Sequence, residues 1–212
     1  MVFKILLTIH ITGGAIGLLA GSYNMVTKKG TKRHQQVGLL FFYSLLIASL
    51  VALPMSFFHS NYFLFIVGVF TAYLLMTGKR YLSKKSIEDV AKADWLLCLL
   101  MFLFGSGFIV WGIYLLIYGN GFGTVLLVFG SISMLLIWQD YRNFNGRSSI
   151  KNYWLTSHIQ RMIAAYIASI TAFIVVNNTI LPGVVAWLLP TAALVPVLIK
   201  WSRKYAVKIK EQ

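Results

Sequence analysis

Seven apolar stretches, at roughly 3–26, 37–58, 61–78, 95–118, 123–140, 158–178 and 183–200, dominate this chain of 212 residues. A helix needs about 20 apolar residues to cross a hydrocarbon core about 30 Å thick. The pattern therefore predicts an all-α polytopic membrane helix bundle: a single seven-helix transmembrane domain over residues 1–212, with 201–212 as a basic cytoplasmic tail. Composition agrees, because 58% of the residues are hydrophobic and 11% charged, against roughly 45–50% and 25% in soluble domains.

A formal charge of +14 on a water-exposed domain would point to nucleic acid. Here the basic residues lie between apolar runs, so no nucleic acid is expected and the partner is the lipid bilayer. One set of connections carries Lys28, Lys29, Lys32 and Arg33, then Lys79, Arg80, Lys84, Lys85 and Lys92, then Arg142, Arg147 and Lys151. The tail adds Lys200, Arg203, Lys204, Lys208 and Lys210. The other set, around His59 to Tyr62, Tyr118 to Gly123 and Asn177 to Gly183, has no Lys, Arg, Asp or Glu. The positive-inside rule then expects the amino terminus outside and the carboxyl terminus in the cytoplasm, across a bacterial cytoplasmic (inner) membrane. The basic loops and tail would face its anionic inner leaflet, each Lys or Arg contributing about 1 kcal/mol. The first run reads as a span, not a signal peptide, because it continues to about Val26, ends in a basic loop and lacks a small-x-small cleavage pattern.

Cys98, alone of its kind, excludes a disulfide framework and a Cys-based metal motif, and reads as a packing residue. All five acidic residues, Glu88, Asp89, Asp94, Asp140 and Glu211, fall in basic connections or at their edges. Ion-coupled carriers commonly keep a carboxylate inside the membrane, and no apolar run here carries one at its centre. A short helix leading toward the fourth span is expected at Ser86-Ile87-Glu88-Asp89.

Chemistry is left to the histidines. His10, Gly13, Gly14, Gly17 and Gly21 share one face of the first span, and Gly13, Gly17 and Gly21 form the small-xxx-small pattern on which a homo-oligomer can assemble. His34 and His158 start the second and sixth spans at the cytoplasmic boundary, and His59 ends the second on the outside. His158 and Arg161 share a face with Met162 and Ala165. Two histidines from different helices can ligate a b-type haem, and His34 and His158 with Asp140 can hold a divalent metal. The cofactor-binding candidates are thus His10, His34, His158 and Arg161. The metal set is the alternative. Residues 34 and 59 differ by 25 positions, about 37 Å along a helix, too far for haems stacked in mid-membrane. That leaves an inner site of His34 with His158, or an outer one of His10 with His59. Set against these, each histidine can serve as a structural hydrogen-bonding group, and Asp140 as a helix-end ion-pair partner. No catalytic residue is identified. The functions carried forward are a cofactor-binding protein with b-haem redox transfer as its sharpest form, a metal-dependent membrane enzyme, and a non-catalytic transporter or assembly protein for an unknown small-molecule ligand.

The segment Lys29-Gly30-Thr31-Lys32-Arg33-His34-Gln35-Gln36-Val37-Gly38, with Ser157-His158-Ile159-Gln160-Arg161-Met162, Ala165-Tyr166-Ile167-Ala168 and Leu7-x-x-His10, resembles an uncharacterised family of bacterial multi-pass membrane proteins. The resemblance implies the architecture and no particular activity. In layout the chain is also faintly similar to cytochrome b561-type proteins, which hold haem between histidines of neighbouring helices. Here the histidines lie near helix ends and lack the spacing for two haems.

Overall fold

The computed structural model describes residues 1–58 and 61–208. Among them are seven α-helices: α1 (Val2–Val26), α2 (Lys32–Phe58), α3 (Tyr62–Tyr81), α4 (Lys92–Ile117), α5 (Phe122–Phe144), α6 (Tyr153–Asn177) and α7 (Gly183–Tyr205). Each is long and apolar enough to cross a bilayer. Helices meet the central demand of that environment by pairing their own backbone groups where no water can. Several overrun the apolar stretch that announced them: α2 begins at Lys32, α5 continues to Phe144, α6 begins at Tyr153 and α7 ends at Tyr205. Backbone pairing does not stop where hydropathy falls, and long basic side chains at the ends can reach toward water. His158 and Asp140 consequently lie about a turn inside their helices.

The connections are held by specific bonds. Lys29 Nζ donates to the carbonyls of Asn24, Met25 and Thr27 at 2.5, 3.0 and 2.9 Å, closing the end of α1. It also lies 4.1 Å from the centre of the Trp201 ring, and burial pushes its amine below the ordinary lysine range. Ahead of α4, the expected short helix is a 3-10 turn, Ile87–Asp89. Its Asp89 accepts the backbone N–H of Ser86 at 2.9 Å, a bond that holds the Asp89 carboxyl below the usual carboxylate range.

The described residues divide into two compact units, one of Met1–Lys79 with Ile159–Lys204, the other of Arg80–His158 with residues 205–208. In the first, α1 lies along α2, and the glycine face closes the seam. A Cβ on Gly13 would stand 2.9 Å from the Ser44 carbonyl oxygen, one on Gly17 2.5 Å from Leu45 Cγ, and one on Gly21 2.5 Å from the Tyr166 ring. Gly13 and Gly17 thus lie against α2, and Gly21 against Phe41 of α2 and Tyr166 of α6. Gly14 faces open space. The most buried helix is α3, with 61% of its most apolar window enclosed, against 11% for α1 and for α7. Gly78 lets it approach α6, where a Cβ would come within 2.8 Å of Arg161 Cβ.

In the second unit α4 lies along α5 on a seam absent from the sequence reading. Gly105 and Gly112 of α4 face Gly130 and Gly123 of α5. A Cβ on Gly112 would meet the Gly123 carbonyl oxygen at 2.9 Å, and one on Gly130 the Gly105 carbonyl oxygen at 2.9 Å. The seven-residue steps return each glycine to the same side after two turns. The stretch that follows α7 is tied to Asn152, whose side chain donates to the Tyr205 carbonyl at 2.7 Å and accepts from Val207 N–H at 2.9 Å.

Gly13→Leu should destabilise the protein by about 1–3 kcal/mol, since its first side-chain carbon meets backbone that cannot yield. Gly14→Leu should leave stability near wild type. Thermal unfolding of both variants in the same detergent checks the contrast, and equal losses would contradict this packing.

Candidate functional site

In the second unit, the end of α3 and the start of α4 are joined by a buried carboxylate. Asp94 Oδ1 accepts from Arg80 Nε at 2.6 Å and from Lys84 Nζ at 2.8 Å. Its Oδ2 accepts from Arg80 Nη2 at 3.2 Å and from the Ala91 N–H at 2.9 Å. Lys84 Nζ donates also to the Arg80 carbonyl at 2.8 Å. Asp94 and Lys84 are almost wholly enclosed, while the Arg80 side chain is partly exposed. A buried charge is tolerable only with such pairing. Even so, burial dominates at Lys84 and draws its amine below the ordinary range, the carboxylates of Asp94 and Asp140 pulling the other way.

Between Arg80 and Lys84 sits Tyr81, whose hydroxyl donates to Asp140 Oδ1 at 2.5 Å. The Cys98 thiol lies 3.8 Å from Asp140 Oδ2, so this packing residue also turns a weak donor toward the carboxylate. Asn143 Nδ2 donates to the Tyr81 hydroxyl oxygen and to Ser157 Oγ, both at 3.2 Å. The donors run in one direction, from the Asn143 amide to the Tyr81 hydroxyl and from that hydroxyl to the Asp140 oxygen. Asp140 is 0% exposed. Residues of α3, α4, α5 and α6 thus meet in one polar cluster.

A cavity of about 350 Å³ opens beside it. Asn143 and Ser157 belong to its lining as well as to the cluster, and Gln139, Arg142, Ser149 and Trp138 are among the other residues that line it. Its volume falls in the range of small-molecule sites.

The sequence's own candidates fall in both units: His10, His34 and Arg161 in the first, His158 and Asp140 in the second. His10 Nδ1 lies 2.9 Å from the Ala48 carbonyl oxygen; a carbonyl only accepts, so Nδ1 carries the proton and the ring fastens α1 to α2. His34 stands in the first turn of α2, its Nδ1 buried without a hydrogen-bond partner. Arg161, in the first unit, is fully buried with its guanidinium 5.4 Å from the centre of the Tyr73 ring. His158 follows Ser157 on α6 in the second unit and is half-buried. His59 lies outside the described residues. Among the described residues, no three His, Cys, Asp or Glu side chains gather where they could hold a metal ion. Asp140, read from the sequence as an ion-pair partner or a metal ligand, accepts from the Tyr81 phenol and is in electrostatic reach of the Lys84 ammonium. Tyr81, Asn143 and Ser157 went unread because each is an ordinary residue by type. The one signal was Asp140 with Asn143 three positions on, a polar pair on one face of an apolar helix.

The fold and cluster define the class: an all-helical protein with seven helices able to span a membrane and a buried carboxylate network beside a cavity. The chain matches no family model, no curated protein and no solved structure.

Tyr81→Phe should cost about 1–3 kcal/mol, the penalty for stripping a donor from a buried carboxylate, and Cys98→Ala clearly less; chemical unfolding in detergent measures both. A second pair tests Asp94. Asp94→Asn leaves two cations without their anion and should cost about 3–5 kcal/mol, whereas Lys84→Met leaves the bonds from Arg80 and Ala91 and should cost much less. Because the Lys84 amine titrates lower in the folded than in the unfolded chain, the unfolded chain binds more protons between the two values. Stability contributed by this group then rises with pH across that alkaline window. Lys84→Met should reduce the rise, Lys29 keeping its own share, seen in unfolding free energy measured against pH.

Proposed function

We propose that this is a multi-pass protein of the bacterial inner membrane that binds a small polar ligand in the cavity beside the Asp140 cluster. The observation that carries the reading is the shared wall: Asn143 and Ser157 line the cavity, and Asn143 donates both to Ser157 and to the Tyr81 hydroxyl, which in turn donates to Asp140. Ligand sites work when polar groups are held in place before the ligand arrives. The orientation follows from charge. Seven crossings put the termini on opposite sides, and the basic connections favour a cytoplasmic carboxyl terminus and an external amino terminus, which brings the cavity to the cytoplasmic rim.

A second reading, b-type haem bound for redox transfer, has the buried and unbonded Nδ1 of His34 in its favour. His10 is not its partner on one iron: His10 is fastened at Ala48, 14 positions beyond His34 (48 − 34) on α2, about 21 Å along the helix.

The test is extraction of the protein purified in mild detergent, wild type beside Ser149→Trp, which fills the cavity from its exposed edge. Mass spectrometry should find a bound species in wild type that the variant lacks. Identical extracts would overturn the cavity reading, and a Soret band after growth with haem supply would decide for the histidines. Reporter fusions at the carboxyl terminus should be active in the cytoplasmic form.

A further inference from the structure

We propose that this cavity is a headgroup site for an anionic phospholipid, with the phosphodiester against Arg142 and the acyl chains along the outer face of α5. The inference rests on the cavity being a ligand site and adds the chemistry of what it takes. Arg142 stands in the last turn of α5, its guanidinium 4.9 Å from the centre of the Trp138 ring and its Nη2 donating to the Arg147 carbonyl at 2.9 Å. Stacking and that one bond orient a group with five donors, leaving the rest of the fork for the two oxygens of a phosphodiester.

Charge selects the ligand's sign. Among the described residues no Asp or Glu lines the cavity, and Asp140, the carboxylate on the same helix, is engaged by Tyr81 and Cys98. Ser149 and Gln139 add neutral polar groups. The connection that follows brings Arg147 and Lys151.

Shape selects an amphiphile. Leu135, Trp138 and Arg142 are spaced at i, i+3 and i+7, on one face of α5. Leu135 is 66% and Trp138 59% exposed, so an apolar stripe leads away from the guanidinium along a helix fit to lie among lipid tails. A free phosphate would use the basic end and leave the stripe idle. An anionic phospholipid uses both, and basic pockets at the cytoplasmic ends of membrane helices are suited to such headgroups.

Thermal unfolding of the full chain in a neutral detergent tests this with three probes: phosphatidylglycerol, phosphatidylcholine with the same acyl chains, and inorganic phosphate. Phosphatidylglycerol should raise the midpoint in a saturable way, and the other two should not. Arg142→Gln should weaken its apparent affinity by about tenfold, the loss of one charged hydrogen-bonding group. Arg147→Gln, whose side chain is outside the lining, should stay within about twofold, as expected of a screened surface charge. If Arg142→Gln fails to fold, Ser149→Glu puts a carboxylate in the lining from an exposed position and should weaken binding as much. Equal shifts from the two lipids, or undiminished binding by Ser149→Glu, would overturn the proposal, and a full shift from inorganic phosphate alone would replace it with a free-anion site. A phosphate-free species displaced by Ser149→Trp would defeat the lipid while sparing the cavity reading; no displaced species at all would defeat both.

Discussion

Everything at the basic end of the second unit depends on how a carboxylate is held where water is scarce. Asp94 accepts four hydrogen bonds, two from Arg80, one from Lys84 and one from the backbone of Ala91. Those bonds fix the last turn of α3 against the first turn of α4. Tyr81 lies within the segment they clamp, so the clamp also sets where the phenol points. The Asp140 cluster is thus a consequence of the Asp94 clamp, and the cavity wall is a consequence of the cluster.

The two carboxylates are satisfied by different means. Asp94 neutralises cations, one of them wholly buried, at the mouth of a basic connection. Asp140, a turn inside α5, is approached by a hydroxyl and a thiol, with Lys84 contributing at longer range. Neutral donors spare Asp140 the desolvation of a second ion. They also leave Arg142, on the same helix, with its guanidinium turned to Trp138 and the Arg147 carbonyl. A chain with few acids and many bases can in this way keep a basic group available at a cavity wall.

Glycine seams do comparable work along the lengths of the helices. Lipid tails are as apolar as leucine, so close van der Waals approach replaces the hydrophobic drive that packs soluble helices. The α1–α2 seam at Gly13 and Gly17 and the α4–α5 seam at Gly105, Gly112, Gly123 and Gly130 show the same solution. Only the first is legible in the sequence, because its glycines recur every four residues. The second uses steps of seven on each of two helices and is evident only when the helices are seen together.

The number, order and approximate limits of the helices were legible in the sequence, because hydropathy and length act locally and each apolar run had to pair its own backbone. The rarity of acids and the gathering of bases in alternate connections were legible too, since they need only counting. What the tertiary structure decided is which polar groups meet. Asp140 joins Tyr81, 59 positions away, and His10 spends its Nδ1 on a carbonyl 38 positions away. Neither pairing leaves a periodic trace, because a hydrogen bond between helices depends on their rotation and axial offset, and those are set by side-chain packing along whole seams and not by any residue's own neighbours.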